Sequence, residues 1–313
     1  MDEELNKKVT VIVPTYNEEE GIGKVIDELI AEGFSKENII VVDGHSTDKT
    51  VEIAKSKGVK VIYQEGHGKG DAIRTGLKYV KTPYVAVIDG DYTYPAKHIK
   101  DLLHVAENGG WDEVIGARIY GRKNIPLINR LGNYVLTKLF NILFGTKLRD
   151  VLSGLYIIRK EKLASAMFET KGFSIESEIA AHIASTTGKI IEHPISYRRR
   201  VGEKKLRILD GIRIGIDMIR LAWRYNPAFV LFSAGAIILV PGLLLGGYVA
   251  YYYLFHGIKY YVKGLIALIM TLAGFQSLLI AILSVYLKRM EWRLTSKIET
   301  LQERISALEK KRE

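Results

Sequence analysis

The segment at residues 84–95 has the sequence YVAVIDGDYTYP, and the architecture of the chain can be inferred from it. The apolar run Tyr84–Ile88 has the length of a buried strand and is too short for a typical helix. It ends at turn-forming residues, so the carboxylates of Asp89 and Asp91 come directly after the strand. The segment therefore predicts a buried strand with two acids at its carboxyl end.

Short β-branched runs on either side of this segment alternate with helical patterns. Apolar residues at helical spacing, such as Ile22, Ile26 and Leu29, lie between the runs. This alternation is typical of an α/β fold, in which a mostly parallel sheet carries helices on both faces. The predicted strands are Val9–Val13, Ile39–Val42, Val59–Tyr63, Tyr84–Ile88 and Glu113–Gly116.

Polar clusters with acidic residues follow three of the predicted strands, at residues 14–18, 43–48 and 89–95. Ligands of parallel sheets bind beyond the carboxyl ends of the strands. The carboxylates of Asp89 and Asp91 are oxygen ligands that suit Mg²⁺ or Mn²⁺, and such an ion would neutralise charge on a leaving nucleotide diphosphate. Asp-Gly-Asp alone is also typical of a plain turn; its position beside the other two clusters favours a nucleotide and metal site.

Glycines surround Lys69 in the segment Gly66-His67-Gly68-Lys69-Gly70, which precedes a predicted helix at residues 71–80. Glycines let the backbone approach a ligand closely, and the lysine can bind a phosphate. The spacing matches neither the P-loop nor the dinucleotide fingerprint. ATP hydrolysis and NAD chemistry are therefore disfavoured.

Further acids lie at Asp150, within the segment 150–154, and at Glu176 and Glu178. A glycoside hydrolase could use such carboxylates as an acid and base pair, but it would need neither a metal motif nor membrane spans. Glu176 and Glu178 are equally well placed as acids at the start of a helix.

Two apolar runs in the last third of the chain predict transmembrane helices. Residues 228–255 are 28 residues without a charge, and residues 264–287 are 24 more. A helix that crosses roughly 30 Å of hydrocarbon needs about 20 apolar residues. The acidic start of the chain, Asp2-Glu3-Glu4, does not fit a signal peptide, so no cleaved targeting segment is expected.

The formal charge of +10 is unevenly distributed. Between residues 196 and 226 nine Lys or Arg residues accompany three acids, and Lys288, Arg289 and Arg293 follow the second apolar run. The positive-inside rule predicts a multi-pass protein of the cell membrane whose N-terminal domain and C-terminal tail are cytoplasmic. A basic stretch beside a span is more typical of a surface for anionic lipid than of nucleic-acid binding. The absence of cysteine excludes a disulfide framework.

Three further segments have amphipathic patterns. Residues 125–148 are interpreted either as a packed helix or as a helix that lies on the bilayer. Residues 208–223 predict a second amphipathic helix that leads into the first span. In the tail, apolar residues spaced four and three apart predict either a short coiled coil in a homo-oligomer or a frayed amphipathic end. These residues are Leu294, Ile298, Leu301, Ile305 and Leu308.

Taken in order, the motifs resemble the family 2 glycosyltransferases of the dolichyl-phosphate mannose and glucose synthase group. The resemblance covers residues 9–206 and rests on residues 14–18, 43–48, 68–70, 89–91, 150–154 and 194–197, with Arg200, Gly202 and Lys205. The variants at residues 42–46, 89–94 and 129–133 are similar to those of archaeal dolichyl-phosphate hexose transferases that begin N-glycan assembly.

The resemblance implies a GT-A type fold and the inverting transfer of a hexose from a nucleotide diphosphate sugar to dolichyl or another polyprenyl phosphate. The archaeal variants favour UDP-glucose or UDP-N-acetylglucosamine as donor; GDP-mannose, used by a dolichyl-phosphate mannose synthase, is the alternative. A phosphate monoester has a second pKa near ~6, so the acceptor oxygen is already largely anionic at neutral pH. Asp150 is therefore expected to position the reaction centre rather than act as a strong base.

The resemblance also implies roles for individual residues. Asp91, Asp150 and Arg200 would be catalytic, and Asp91 would bind Mg²⁺ or Mn²⁺ with Asp89 beside it. The nucleotide sugar would contact Pro14, Tyr16, Glu18, Asp43, Lys69 and Asp89. The diphosphate or the lipid phosphate would contact Arg118, Arg130, Arg200 and Lys205. The family usually has Asp where Gly44 stands and Gln where Thr93 stands, so base recognition and the remaining metal ligands stay open.

These features predict a catalytic domain at residues 1–206, a juxtamembrane helix at 207–227, two transmembrane helices at 228–287 and a cytoplasmic tail at 288–313. One alternative is a processive polysaccharide synthase, but such enzymes generally carry a Gln-x-x-Arg-Trp motif that this sequence lacks. The other is a non-catalytic membrane scaffold, which would not require Asp89, Lys69 and Arg200 at strand and loop ends.

Overall fold

The computed structural model describes residues 2–164, 168, 174–186, 188–202 and 208–309. The chain divides into two compact units, Met1–Leu221 and Ala222–Glu313. The strands are β1 Val9–Thr15, β2 Ile39–Asp43, β3 Lys60–Tyr63, β4 Tyr84–Val87, β5 Glu113–Tyr120, β6 Tyr156–Arg159 and β7 Ile190–Ser196. The helices are α1 Glu3–Lys8, α2 Glu19–Ala31, α3 Thr50–Ser56, α4 Lys69–Leu77, α5 His98–Gly109, α6 Leu127–Phe144, α7 Lys160–Ala164, α8 Ile175–Ser185, α9 Ile208–Tyr225, α10 Pro227–His256 and α11 Tyr261–Glu309.

Within the described residues, the strands form one sheet in the order β3-β2-β1-β4-β6-β5-β7. Strand β6 runs antiparallel to β4 and β5, and the other pairings of this sheet are parallel. Strands β1 to β5 and β7 therefore end at the same edge, while the segment that leads into β6 starts there. The mostly parallel sheet predicted from the sequence is confirmed.

Alternate residues of the central strands face opposite helical layers. Val11 and Val13 of β1 share one apolar cluster with Ile26 of α2 and Ile99 of α5. On the other face, Ile12 lies so near α4 that a Cβ on Gly76 would be 2.9 Å from its Cδ1 atom. Fully buried strands of this kind are apolar on both faces, which explains their continuous apolar runs.

The sequence predicted neither β6 nor β7, and it placed the bounds of α4 differently. β6 runs antiparallel to its neighbours, so it falls outside the βαβ alternation from which the other strands were predicted. β7 contains Pro194, and proline normally argues against a strand. It is tolerated here because β7 is the edge strand of the sheet. Helix α4 is Lys69–Leu77, not residues 71–80, since Lys69 itself opens the helix.

Helices α6 and α9 each have a buried and an exposed apolar face. Phe140 and Leu143 of α6 and Ile214 and Met218 of α9 are buried. The two helices are neighbours, because a Cβ on Gly215 would lie 3.4 Å from a methyl of Leu136. The outward residues of α6, all more than half exposed, are Leu127, Ile128, Leu131, Tyr134, Val135 and Ile142. Those of α9, each about half exposed or more, are Ile212, Ile216, Ile219 and Trp223.

The second unit is an antiparallel pair of long helices. Among the described residues, 227–256 and 261–291 are the two helical stretches long and apolar enough to cross a membrane. The side chain of Asn226 caps α10 by accepting a hydrogen bond from the Phe229 N–H, and Gly257 ends it. The helices pack closely at Gly274, where a Cβ would lie 2.7 Å from the backbone of Leu239.

Candidate active site

The acidic turn after β4 lies at the edge where the parallel strands end. Gly90 of this turn packs against β1, and a Cβ there would lie 2.7 Å from the Thr15 methyl. The turn also places Tyr92 in a left-handed conformation, with φ of 62°. This close packing holds Asp89 and Asp91 beyond the strand ends, the usual ligand position of such sheets.

The predicted nucleotide-binding residues of β1 and β2 lie side by side at this edge. Asp43 is fully buried, and its carboxylate accepts hydrogen bonds from the Ser46 N–H at 2.8 Å and the Ser46 hydroxyl at 2.5 Å. The Gly44 N–H donates to the Thr15 carbonyl at 2.8 Å, which joins the turns after β1 and β2. Pro14 pairs with Val42 in the β1–β2 ladder, and the exposed ring of Tyr16 follows.

Asp91 is buried and its two carboxylate oxygens have different partners. Oδ1 accepts from the Thr93 hydroxyl at 2.6 Å and the Thr93 N–H at 3.1 Å. Oδ2 accepts from Nη1 of Arg200 at 2.7 Å. Burial raises the pKa of Asp91, Asp89 raises it further, and Arg200 and Thr93 oppose the shift. The ionised carboxylate therefore depends on positive charge beside it.

Arg200 joins this acid to the turn after β1. Its Nη2 donates to Oε1 of Glu18 at 2.5 Å, so one guanidinium bridges two carboxylates. The segment after β7 that carries Arg200 is held across the edge of the sheet. The Arg198 N–H donates to the Thr93 carbonyl at 2.8 Å, and the Arg198 guanidinium pairs with Glu28.

Lys69 occupies a second buried charge cluster. Its Nζ lies 2.5 Å from Oδ1 of Asp89 and 2.5 Å from Oε1 of Glu176, which belongs to the first turn of α8. Burial alone would lower the pKa of Lys69, but the two carboxylates outweigh it and hold the pKa well above its ordinary value. The opposite oxygen of Asp89 faces Gly154, where a Cβ would lie only 2.0 Å away. Only glycine fits there without displacing Asp89.

Arg118 and Asp150 form the third cluster. Arg118 donates to Asp150 through Nε at 2.7 Å, Nη2 at 2.6 Å and its backbone N–H at 2.9 Å, and Asn133 of α6 adds a bond at 2.8 Å. Burial would raise the pKa of Asp150, but Arg118 and Asn133 hold it below its usual value. An ionised carboxylate with all these donors is a weak proton acceptor. Asp150 therefore orients Arg118 and α6.

The structure brings most of the predicted site residues to one edge of the sheet. Arg130 is an exposed residue of α6, three residues before Asn133. Lys205 lies outside the described residues. Sequence reasoning assigned no site role to Glu176 or Asn133, although both bind predicted site residues. No local signal could have assigned Glu176, because its contact with Lys69 joins residues more than a hundred positions apart.

The donor set at the edge fits a divalent cation bound together with a diphosphate. Within the described residues, no group of three or more His, Asp or Glu side chains could hold a metal alone. Mg²⁺ and Mn²⁺ need no such cage, because they are commonly bound by one or two carboxylates together with substrate phosphates. Each acid already has a cationic partner, because Arg200 donates to Oδ2 of Asp91 and Lys69 donates to Oδ1 of Asp89. A cation bound at either carboxylate would therefore compete with a basic side chain.

Comparison with known proteins adds to this geometry. The sequence profile of the family described as "Glycosyl transferase family 2" matches residues 10–166, half of the chain. The chain belongs to glycosyl transferase family 2. Its GT-A type architecture and its class of enzyme, a glycosyltransferase, are as the resemblance implied.

Two proteins from Haloferax volcanii are similar over most of their length. "Glycosyltransferase AglJ" is 33% identical over 300 residues, which cover 94% of this chain and 98% of the relative. "Dolichyl-phosphate hexose transferase" is 34% identical over 215 residues, which cover 68% of this chain and 93% of the relative. The resemblance to archaeal dolichyl-phosphate hexose transferases is therefore confirmed.

A solved structure gives a further comparison. Glucosyl-3-phosphoglycerate synthase from Mycobacterium tuberculosis, crystallised with Mn²⁺, UDP-glucose and phosphoglyceric acid, superposes with a TM-score of 0.57 at 25% identity. The match covers 71% of this chain and 80% of that one. That protein binds a divalent cation, a nucleotide sugar and an acceptor that carries a phosphate.

Proposed function

We propose that this chain transfers a hexose from a nucleotide diphosphate sugar to dolichyl or another polyprenyl phosphate, with inversion, and so supplies a lipid-linked sugar for N-glycosylation. The observation that carries the proposal is the exposed apolar face of α6 and α9, in the same compact unit as the charged sheet edge. A transferase for a water-soluble acceptor needs no such face, since large exposed apolar patches mark contact surfaces.

The donor binds along the ends of β1, β2 and β4. Pro14, Tyr16 and Asp43 border the nucleotide, and Lys69 holds Asp89 against it. Asp91 would hold Mg²⁺ or Mn²⁺, and the bound cation would neutralise the charge that develops on the leaving group. The turn geometry supports these assignments, because Ser46 and Thr93 fix the carboxylates of Asp43 and Asp91.

The acceptor phosphate binds beside Arg118 and Arg200. Guanidinium groups recognise phosphate through paired hydrogen bonds, and both arginines border the acidic edge. Asp150, kept ionised by Arg118, is a positioning residue. The phosphate oxygen is already anionic and attacks the anomeric carbon as the bond to the nucleotide diphosphate breaks, so no proton has to be removed.

The lipid chain of the acceptor lies along the membrane, on which α6 and α9 rest. The exposed apolar stripe of α9 is accompanied by Arg213, Arg220 and Arg224, as is typical of helices at an anionic lipid surface. Helix α9 ends at Tyr225 and α10, a candidate span, begins at Pro227. The surrounding Lys and Arg residues favour a cytoplasmic catalytic unit and tail.

We favour UDP-glucose or UDP-N-acetylglucosamine as the sugar donor. The sequence variants shared with archaeal dolichyl-phosphate hexose transferases support UDP as the nucleotide, and the similar mycobacterial synthase was crystallised with UDP-glucose. Hydroxyl contacts distinguish one hexose from another, because an unpaired polar group in the site costs affinity.

The experiment is a donor and acceptor panel in membranes that contain the full chain. Labelled UDP-glucose, UDP-N-acetylglucosamine and GDP-mannose are each incubated with Mn²⁺ or Mg²⁺ and either dolichyl phosphate or phosphoglyceric acid. We expect one UDP-sugar to give a product that partitions into organic solvent with dolichyl phosphate. Transfer to phosphoglyceric acid alone would overturn the proposed acceptor, and a lipid product from GDP-mannose alone would overturn the donor.

A further inference from the structure

Helix α11 continues well beyond its apolar part. The stretch long and apolar enough to span a membrane is Tyr261–Glu291, whereas the helix runs without interruption to Glu309. At 1.5 Å per residue, the remaining residues form a rod of about 27 Å. The extension therefore projects from the end of the candidate span.

The extension exposes a regular apolar stripe. Leu294, Ile298 and Leu301 are 54%, 54% and 57% exposed, although each is a large aliphatic side chain. In the sequence the same four-and-three spacing continues through Ile305 and Leu308. With a and d as the inward positions of a heptad, the leucines take d and the isoleucines take a.

We propose that residues 294–308 pair with the same residues of a second copy of this chain, as a parallel two-stranded coiled coil. Isoleucine at a with leucine at d is the combination that favours two strands in parallel coils. Copies inserted in one membrane with the same topology send their tails out on the same side. Only a parallel arrangement then brings like positions of the two helices together along the whole stripe.

The charges that flank the stripe agree with this orientation. Lys297 and Arg304 precede the isoleucines at position g, and Glu309 follows the last leucine at position e. In a parallel pair, g of one helix approaches e of the next heptad in its partner, and the sequence assigns these two positions to Arg304 and Glu309, which have opposite charges. In an antiparallel pair g would face g, and Lys297 would meet Arg304 with like charge.

A coil of about two heptads would be marginal between free peptides, because starting a helix is costly. Here α11 is already helical before the stripe begins, so that cost does not arise. Confinement to one membrane also raises the effective concentration of the second copy. Both effects favour pairing by a stripe as short as this one.

The test uses the absence of cysteine from the natural sequence. Single variants Leu294→Cys and Leu301→Cys place a thiol at d, and Arg293→Cys places one at the outward position c as a control for random collision. The full chain in its membrane is oxidised briefly, and dimers are separated on a non-reducing gel. We expect at least fivefold more dimer for both d variants than for the control.

Ile298→Lys, added to Leu301→Cys, should return the dimer to the control level, because it places a charge in the seam while keeping the thiol. Dimer yields equal to the control at both d positions would overturn the coiled coil. Cross-linking at Leu301 but not at Leu294 would indicate an antiparallel pair and would overturn the parallel arrangement. The outcome is independent of sugar transfer, which involves other residues.

Discussion

Replacement of Arg200 by Ala should tighten the binding of Mn²⁺ in the absence of donor. Arg200 donates to Oδ2 of Asp91, the proposed metal ligand, and also to Glu18. A divalent cation and a guanidinium repel each other at one carboxylate oxygen, so a metal bound at Oδ2 would have to displace Arg200. Displacement would free the guanidinium to meet the phosphates and would couple metal binding to donor binding.

The size of this effect follows from the bond that is lost. A hydrogen bond to a charged group contributes about 1.5–3 kcal/mol net. Both groups are largely shielded, with side-chain exposures of 26% for Arg200 and 7% for Asp91, so solvent screening reduces this value little. A change of 1.4 kcal/mol is tenfold in affinity, and Arg200→Ala should therefore lower the Kd for Mn²⁺ by about one to two orders of magnitude.

Isothermal titration of the detergent-solubilised full chain with Mn²⁺, without nucleotide, measures this Kd. Arg199→Ala is the matched control, because Arg199 is exposed in the same segment and its loss changes the net charge equally. Transfer activity should fall in Arg200→Ala despite the tighter metal, since the arginine is also proposed to contact phosphate. A Kd for Mn²⁺ that is unchanged or weaker in Arg200→Ala than in Arg199→Ala would refute the competition.

Three other substitutions test separate parts of the site. Gly154→Ala should displace Asp89 and reduce kcat by about 10²-fold. Gly211 has open space around it, so the control Gly211→Ala should leave transfer unchanged. Equal activities of the two variants would contradict the close packing at Gly154. Lys69→Met should cost about 3–5 kcal/mol of stability by leaving buried acids unpaired, and adding Glu176→Gln should recover part of the lost thermal stability. No recovery would argue against the Lys69–Glu176 pair. Leu131→Glu should raise the KM for dolichyl phosphate in vesicles at least about tenfold, because it removes apolar contact with the lipid. The affinity for UDP should stay unchanged. An unaltered KM would show that α6 does not contact the lipid.

Three of the strands that were predicted correctly share one physical property. β1, β2 and β4 are buried on both faces, and this burial requires continuous β-branched or apolar runs that are visible in the sequence. β6 and β7 were not predicted because their pairing is set by the rest of the sheet. Tertiary contacts, rather than local pattern, stabilise a four-residue strand or an edge strand that contains proline.

The same distinction applies to the site. Asp89 and Asp91 could be placed at the sheet edge from the sequence, since they directly follow a strand. Which partner each would bind could not be predicted, because Lys69 and Arg200 reach them from distant segments. The division of labour between the two acids is therefore a structural result: Lys69 engages Asp89, and Arg200 engages Asp91.

The most direct test of the account is analysis of the lipid product made in membranes with the active UDP-sugar, dolichyl phosphate and Mn²⁺. We expect a β-linked hexosyl phosphate from the α-linked donor with the natural chain and with Asp27→Asn, an exposed carboxylate control. Asp91→Asn, or removal of the metal, should abolish the product. An α-linked product, or undiminished transfer by Asp91→Asn, would contradict metal-assisted inverting transfer to a lipid phosphate.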